Sequence, residues 1–128
     1  MRPKELLVDT CGLVKWMQGT LPDSARSLLI NAGMRHFSVV SAWEMQLKPE
    51  LRNITTSDIE DAVRKLGMQV VPLLLDHIGA LATVRTLSKL PHKDPFDHLL
   101  IAQAMLHGWP ILTCDERFKA YPRIQIFW

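Results

Sequence analysis

Apolar residues fall along this chain in short blocks of two kinds. The runs "ELLVDT" (5–10), "HFSVVS" (36–41), "MQVVPL" (68–73), "WPILTC" (109–114) and "RIQIFW" (123–128) are compact and rich in residues that favour buried strands. Between them the apolar positions recur every three or four residues, the period of a helix with one buried face. "PDSARSLLINAG" (22–33) predicts a helix capped by Asp23 or Ser24. "SAWEMQLKPEL" (41–51) predicts another, with Ser41 as its cap and Glu44 at capping-box spacing. "TSDIEDAVRKLG" (56–67) closes on Gly67, "LDHIGALATVRTLSKL" (75–90) is apolar at helical spacing, and "DPFDHLLIAQAMLHG" (94–108) stops at Gly108. Strands without polar alternation, separated by helices, predict an α/β fold: a central parallel sheet of about five strands flanked by helices.

Composition narrows the class. The chain of 128 residues is 48% hydrophobic and 22% charged, which fits one globular domain spanning 1–128. No apolar run approaches the roughly 20 residues of a membrane-spanning helix. "MRPKELLVDT" has too short an apolar stretch for a secretory signal, and nothing around Cys11 and Cys114 marks an extracellular context. Reduced thiols and a cytoplasmic location are expected. The five histidines lack a metal-ligand spacing, with His98 about 100° round its helix from Asp97, and the four tryptophans read as core or interface anchors. Walker-type and G-x-G-x-x-G motifs are absent, so no nucleotide cofactor is indicated.

In a parallel sheet, ligands bind beyond the carboxyl ends of the strands where the strand order reverses. Asp9 ends the first strand, Asp115 follows "PILTC", Glu44 lies in the helix after "HFSVVS", and Asp97 lies in the first turn of the "DPFD" helix. Each has a purely structural alternative. Asp94 before Pro95 is a good N-cap, Asp97 at the third helical position favours the helix dipole, and Glu44 completes a capping box with Ser41. Asp9 and Asp115 are harder to dismiss, since acids at the ends of buried strands must be solvated, paired or metal-bound. Four converging carboxylates repel one another unless a cation neutralises them, and a hard divalent ion such as Mg²⁺ or Mn²⁺ matches oxygen ligands.

Taken in order, "LLVDTCGLVKW" (6–16), "VVSAWEMQLK" (39–48), "DPFDHLLIAQAMLHGWPILTCDERF" (94–118) and the closing strand resemble a PIN domain of the VapC type, the toxin half of type II toxin–antitoxin pairs. The resemblance covers nearly the whole chain. It implies that Asp9, Glu44, Asp97 and Asp115 are the Asp, Glu, Asp, Asp set of a metal-dependent endoribonuclease using Mg²⁺ or Mn²⁺, with Asp94 as the helix cap, leaning at most towards the layer behind the metal's direct ligands. Cleavage of RNA, tRNA or another structured RNA included, to a 5′-phosphate and a 3′-hydroxyl is the implied reaction. A cognate antitoxin and a homodimer are the implied partners, with no membrane association. The chain departs from the family in "PELRNI" (49–54), where Pro49 ends the helix in place of a short basic, glycine-containing turn.

Charge acquires meaning in that light. The net charge is only +2, but with the four acids set aside nine acidic residues face 15 basic ones. The resulting field draws a polyanion. Lys15, Lys48, Arg52, Lys93, Arg117 and Lys119 lie near the acid segments as candidate phosphate contacts, and Thr10 and Thr113 are candidate hydrogen-bond partners of the acids. For apolar interface residues the candidates are "LVKWMQG" and "ALATVRTL". Two rival readings remain: a PIN-like module that binds RNA or protein without catalysis, and a haloacid-dehalogenase-like phosphatase with Asp9 as its nucleophile. The phosphatase lacks its second acid, because Cys11 stands there.

Overall fold

The computed structural model describes residues 2–88 and 93–128. Five strands, β1 (Glu5–Val8), β2 (Met34–Ser38), β3 (Gln69–Val71), β4 (Ile111–Leu112) and β5 (Ile126–Phe127), form one sheet in the order β3-β2-β1-β4-β5. Every pairing is parallel, with Val8 opposite Phe37 on one side and Leu112 on the other. The chain therefore builds outward from β1 in one direction, then crosses back to lay β4 against its free edge. That reversal opens a crevice between the carboxyl ends of β1 and β4.

Side chains alternate across the sheet and divide the core in two. Leu6, Val8 and Leu112 point to a layer that contains Leu13, Leu29, Phe37 and Met45. Leu7 and Ile111 point the other way, to Leu100, Ile101, Phe118 and Tyr121. Helices α1 (Thr10–Gln18), α2 (Asp23–Asn31), α3 (Val39–Leu47), α4 (Thr56–Lys65), α5 (Leu75–Gly79), α6 (Leu81–Thr86) and α7 (Pro95–His107) cover both faces. The most enclosed is α7, buried continuously from Leu99 to Ala104. Its ends follow the sequence: Asp94 accepts from the Phe96 and Asp97 amides, Pro95 opens the helix, and Gly108 at φ 71° closes it.

Several boundaries differ from the sequence expectation. The first strand stops at Val8, because the Asp9 carboxylate accepts from the Gly12 amide and starts α1, a helix that the apolar pattern did not reveal. Strand β2 ends at Ser38, whose hydroxyl accepts from the Val40 amide, so α3 begins at Val39. Ser41 is consequently buried inside α3 and is not its cap. Pro22 precedes α2 without a side-chain cap, and Asp23 is its first residue. Thr55 and Asp58 form a reciprocal capping box at α4. The stretch 75–90 divides at Ala80 into α5 and α6, with Gly79 in the last turn of α5. Positions 89 and 90 of that predicted helix, and His92, lie outside the described residues.

The candidate interface segments also resolve differently. Leu13, Val14 and Val84 are core residues, and Trp16, Met17, Ala80 and Leu81 pack against the core. Large apolar side chains are exposed elsewhere, among them Trp43 and Leu47 on α3 and Leu74, Leu75 and Ile78 around α5.

Candidate acidic active site

The crevice beyond β1 and β4 is lined by Asp9, Glu44, Glu50, Asp94, Asp97 and Asp115, together with Thr10, Lys48 and Arg117, in a cleft of about 210 Å³. All four carboxylates expected from the sequence thus meet in one cleft. Three of them, Asp9, Glu44 and Asp97, are only 3–6% exposed, which demands partners for each.

Asp9 is held on both oxygens. Its Oδ1 accepts from the Gly12 amide at 3.0 Å and the Cys11 thiol at 3.1 Å, and its Oδ2 accepts from the Thr113 hydroxyl at 2.6 Å. These bonds favour the ionised form, yet burial outweighs them and raises its pKa to about 6. Thr113 Oγ1 in turn accepts from the Asp115 amide at 3.0 Å, so one hydroxyl links the acid after β1 to the acid after β4.

Glu44 projects from the middle of α3. It accepts from Thr10 Oγ1 at 2.5 Å and pairs with Lys48, one turn further on, at 3.1 Å. Burial opposes the Lys48 charge, but the Glu44 carboxylate holds this ammonium above its ordinary value.

Asp97 carries the largest perturbation. Burial first, then Asp94, Glu44, Asp115 and Asp9, raise its pKa to about 8. One oxygen each of Glu44, Asp94 and Asp97 lie within 4.8 Å of one another, a spacing at which a single cation can touch all three. The donor set is all carboxylate, hard oxygen that suits Mg²⁺ or Mn²⁺, and its mutual repulsion is the charge that such an ion neutralises. Asp94 does double duty here, since its Oδ1 also caps α7 at 2.9 Å from the Phe96 amide.

Asp115 caps the 3₁₀ turn Glu116–Ala120 and is clamped by Arg117. The guanidinium reaches Asp115 through Nε at 3.1 Å and Nη2 at 2.7 Å, and its Nη2 extends to Asp97 at 3.5 Å. Hydrogen bonding to Asp115 raises the Arg117 pKa, so this charge is permanent. Of the six basic candidates, Lys48 and Arg117 line the cleft, whereas Lys119 pairs with Glu116.

Sequence reasoning missed three features. It gave Asp94 chiefly the capping role, because capping alone explained that residue. Glu50 enters through the 3₁₀ turn Pro49–Leu51, which brings an acid to the cleft where a basic turn was the family expectation. The Arg117 clamp depends on the turn after β4, and only its position two residues beyond Asp115 could have signalled it.

Comparisons with known proteins agree with this fold. A model of the PIN domain family matches residues 6–124. No curated protein matches the chain. Among solved structures it is similar to a chain of the VapBC2 complex from Rickettsia felis bound to a DNA fragment from its promoter. That match has a TM-score of 0.72 and 16% identity, and covers 96% of this chain and 97% of the other. The DNA-bound VapBC complex of Salmonella typhimurium is similar at TM-score 0.70 and 15% identity, covering 99% and 98%. A toxin–antitoxin complex from Klebsiella pneumoniae follows at 0.68 and 17%, covering 93% and 94%.

Proposed function

Because this chain belongs to the PIN domain family, we propose that it is a metal-dependent endoribonuclease and the VapC-type toxin of a type II toxin–antitoxin pair. The observation that carries this reading is the meeting of Asp9, Glu44, Asp97 and Asp115 in one cleft at the sheet's switch point, with three of the four buried. Asp9, Glu44, Asp97 and Asp115 are the proposed holders of one or two Mg²⁺ or Mn²⁺ ions, joined by Asp94. Such an ion supplies charge to the scissile phosphate oxygens and acidifies a bound water.

The chain's own residues do the rest. Thr113 and the Gly12 amide fix the Asp9 carboxylate, and the Thr113 hydroxyl also accepts from the Asp115 amide, which ties the two acid-bearing segments together. Thr10 and Lys48 hold Glu44 from two sides. Lys48 and Arg117 place positive charge at the cleft rim, where a phosphodiester backbone would lie. The basic excess of the remaining surface draws RNA towards the cleft.

Both Asp9 oxygens accept hydrogen bonds in a buried setting, which suits a ligand better than the free nucleophile of a phosphatase. An antitoxin partner is supported by the neighbouring complexes and by the exposed Trp43 and Leu47 on the helix that bears Glu44. A homodimer and a cytoplasmic setting complete the proposal.

Cleavage of a mixed RNA pool that includes tRNA, by wild type and Asp97→Asn with Mg²⁺, Mn²⁺ or EDTA, tests it. Metal-dependent cleavage lost in the variant is expected. A folded, antitoxin-free wild type that cuts nothing with either metal would shift the reading to a non-catalytic RNA- or protein-binding module.

A further inference from the structure

Cys11 lines the acidic cleft, and its thiol meets that of Cys114, the chain's other cysteine. Cys11 is in the first turn of α1, two residues after Asp9, and Cys114 lies between the end of β4 and Asp115. Parallel pairing of Val8 with Leu112 aligns these segments. The two Sγ atoms are 2.6 Å apart, and the Cys114 amide donates to Cys11 Sγ at 3.1 Å. Both residues are partly exposed, so a small oxidant can reach them. Cys11 also donates its thiol hydrogen to Asp9 Oδ1 at 3.1 Å.

We propose that Cys11 and Cys114 form a reversible modification site, in which a hydroperoxide or a low-molecular-weight disulfide oxidises the pair to an intramolecular disulfide that alters the acidic cleft. With a hydroperoxide, the two thiols give up two electrons and two protons as the S–S bond forms, and the peroxide O–O bond breaks to give an alcohol and water (two waters from hydrogen peroxide). With a small disulfide, one cysteine sulfur displaces one small thiol, and the second cysteine displaces the other. In either case Asp9 loses a hydrogen-bond donor. The bond also ties the segment that bears Asp9 to the one that bears Asp115.

The cleft consequence rests on the metal reading above, whereas bond formation does not. Reduced full-length protein, treated with hydrogen peroxide or oxidised glutathione, is analysed by intact mass, thiol titration and peptide mapping. The expected product is a monomer that has lost two hydrogens, has no titratable thiol, carries a Cys11–Cys114 peptide link and reverts with dithiothreitol. Cys114→Ser should give no such link. Mn²⁺ binding, read by electron paramagnetic resonance, should weaken on oxidation by about tenfold, the low end for losing a partner behind a metal ligand. It should recover on reduction and stay constant in Cys114→Ser. Persistent thiols, disulfides only between molecules, or equal Mn²⁺ affinity in both redox states would overturn the proposal. If reduced wild type bound no Mn²⁺, the metal reading would fall, while the mass data would still decide whether the bond forms.

Discussion

At the scale of single residues, the cleft is organised by groups that are not carboxylates. Arg117 is the clearest case, because its charge occupies the space between Asp115 and Asp97. A cation that enters the cleft must compete with that guanidinium, whereas a phosphate benefits from it. Arg117→Ala should therefore tighten Mn²⁺ binding and weaken RNA binding, each by several-fold, since the arginine is half exposed and screened by solvent. Calorimetric Mn²⁺ titration and RNA binding in Ca²⁺ read the two effects separately, and a shift of both in the same direction would count against this role. Thr113 poses a different question. Its buried hydroxyl donates to Asp9 and accepts from the Asp115 amide, so Thr113→Val preserves shape while orphaning both partners. A loss of about 1–3 kcal/mol in urea unfolding is expected, with Thr113→Ser restoring most of it.

At the scale of elements, what the sequence disclosed depended on whether a signal was local. Helix α7 was legible from end to end, because Asp94-Pro95 and Gly108 are strong stops on either side of a long apolar run. Helix α1 escaped, since Asp9 read as the last residue of a strand when its side chain in fact caps the next element. The same ambiguity moved the β2–α3 junction: "SVVS" has strand composition, and only the Ser38 hydroxyl turning back to the Val40 amide makes Val39 helical. Asp9, Asp97 and Asp115 were visible because each stands beside a strand or helix boundary, and Glu44 because it falls three residues after the expected cap Ser41. The approach of an Asp94 oxygen to those of Glu44 and Asp97 was hidden behind its cap, and substitution can separate capping from the proposed metal contact. Asp94→Ser retains a capping oxygen without a carboxylate, whereas Asp94→Ala removes both. Thermal unfolding should find the alanine variant less stable by about 1 kcal/mol and the serine variant close to wild type. Mn²⁺ affinity should fall in both, and an unchanged affinity in the serine variant would leave Asp94 as a cap alone.

At the scale of the whole molecule, fold stability and the cleft work against each other, and pH exposes the conflict. Burial raises Asp97 from 3.8 to about 8 and Asp9 from 3.8 to about 6. Between the ordinary carboxylate value and these raised ones, the folded chain binds more protons than the unfolded chain. Stability without metal is thus greatest on the acid side and declines as pH rises. The Asp9 contribution is spent by about pH 6 and the Asp97 contribution by about pH 8. A divalent cation reverses the trend: it binds the ionised cleft of the folded state, releases protons as it does so, and stabilises by mass action. Urea midpoints measured at steps across this window should fall with rising pH in EDTA. In Mg²⁺ they should fall less, so that the gap between the two curves widens towards alkaline pH. Asp97→Asn carries no titrating group at that position, so its EDTA curve should be flatter than that of wild type and its Mg²⁺ gap smaller. Identical pH slopes in wild type and Asp97→Asn would show that the cleft is not the source of the proton linkage, and that its acids are paid for elsewhere in the fold.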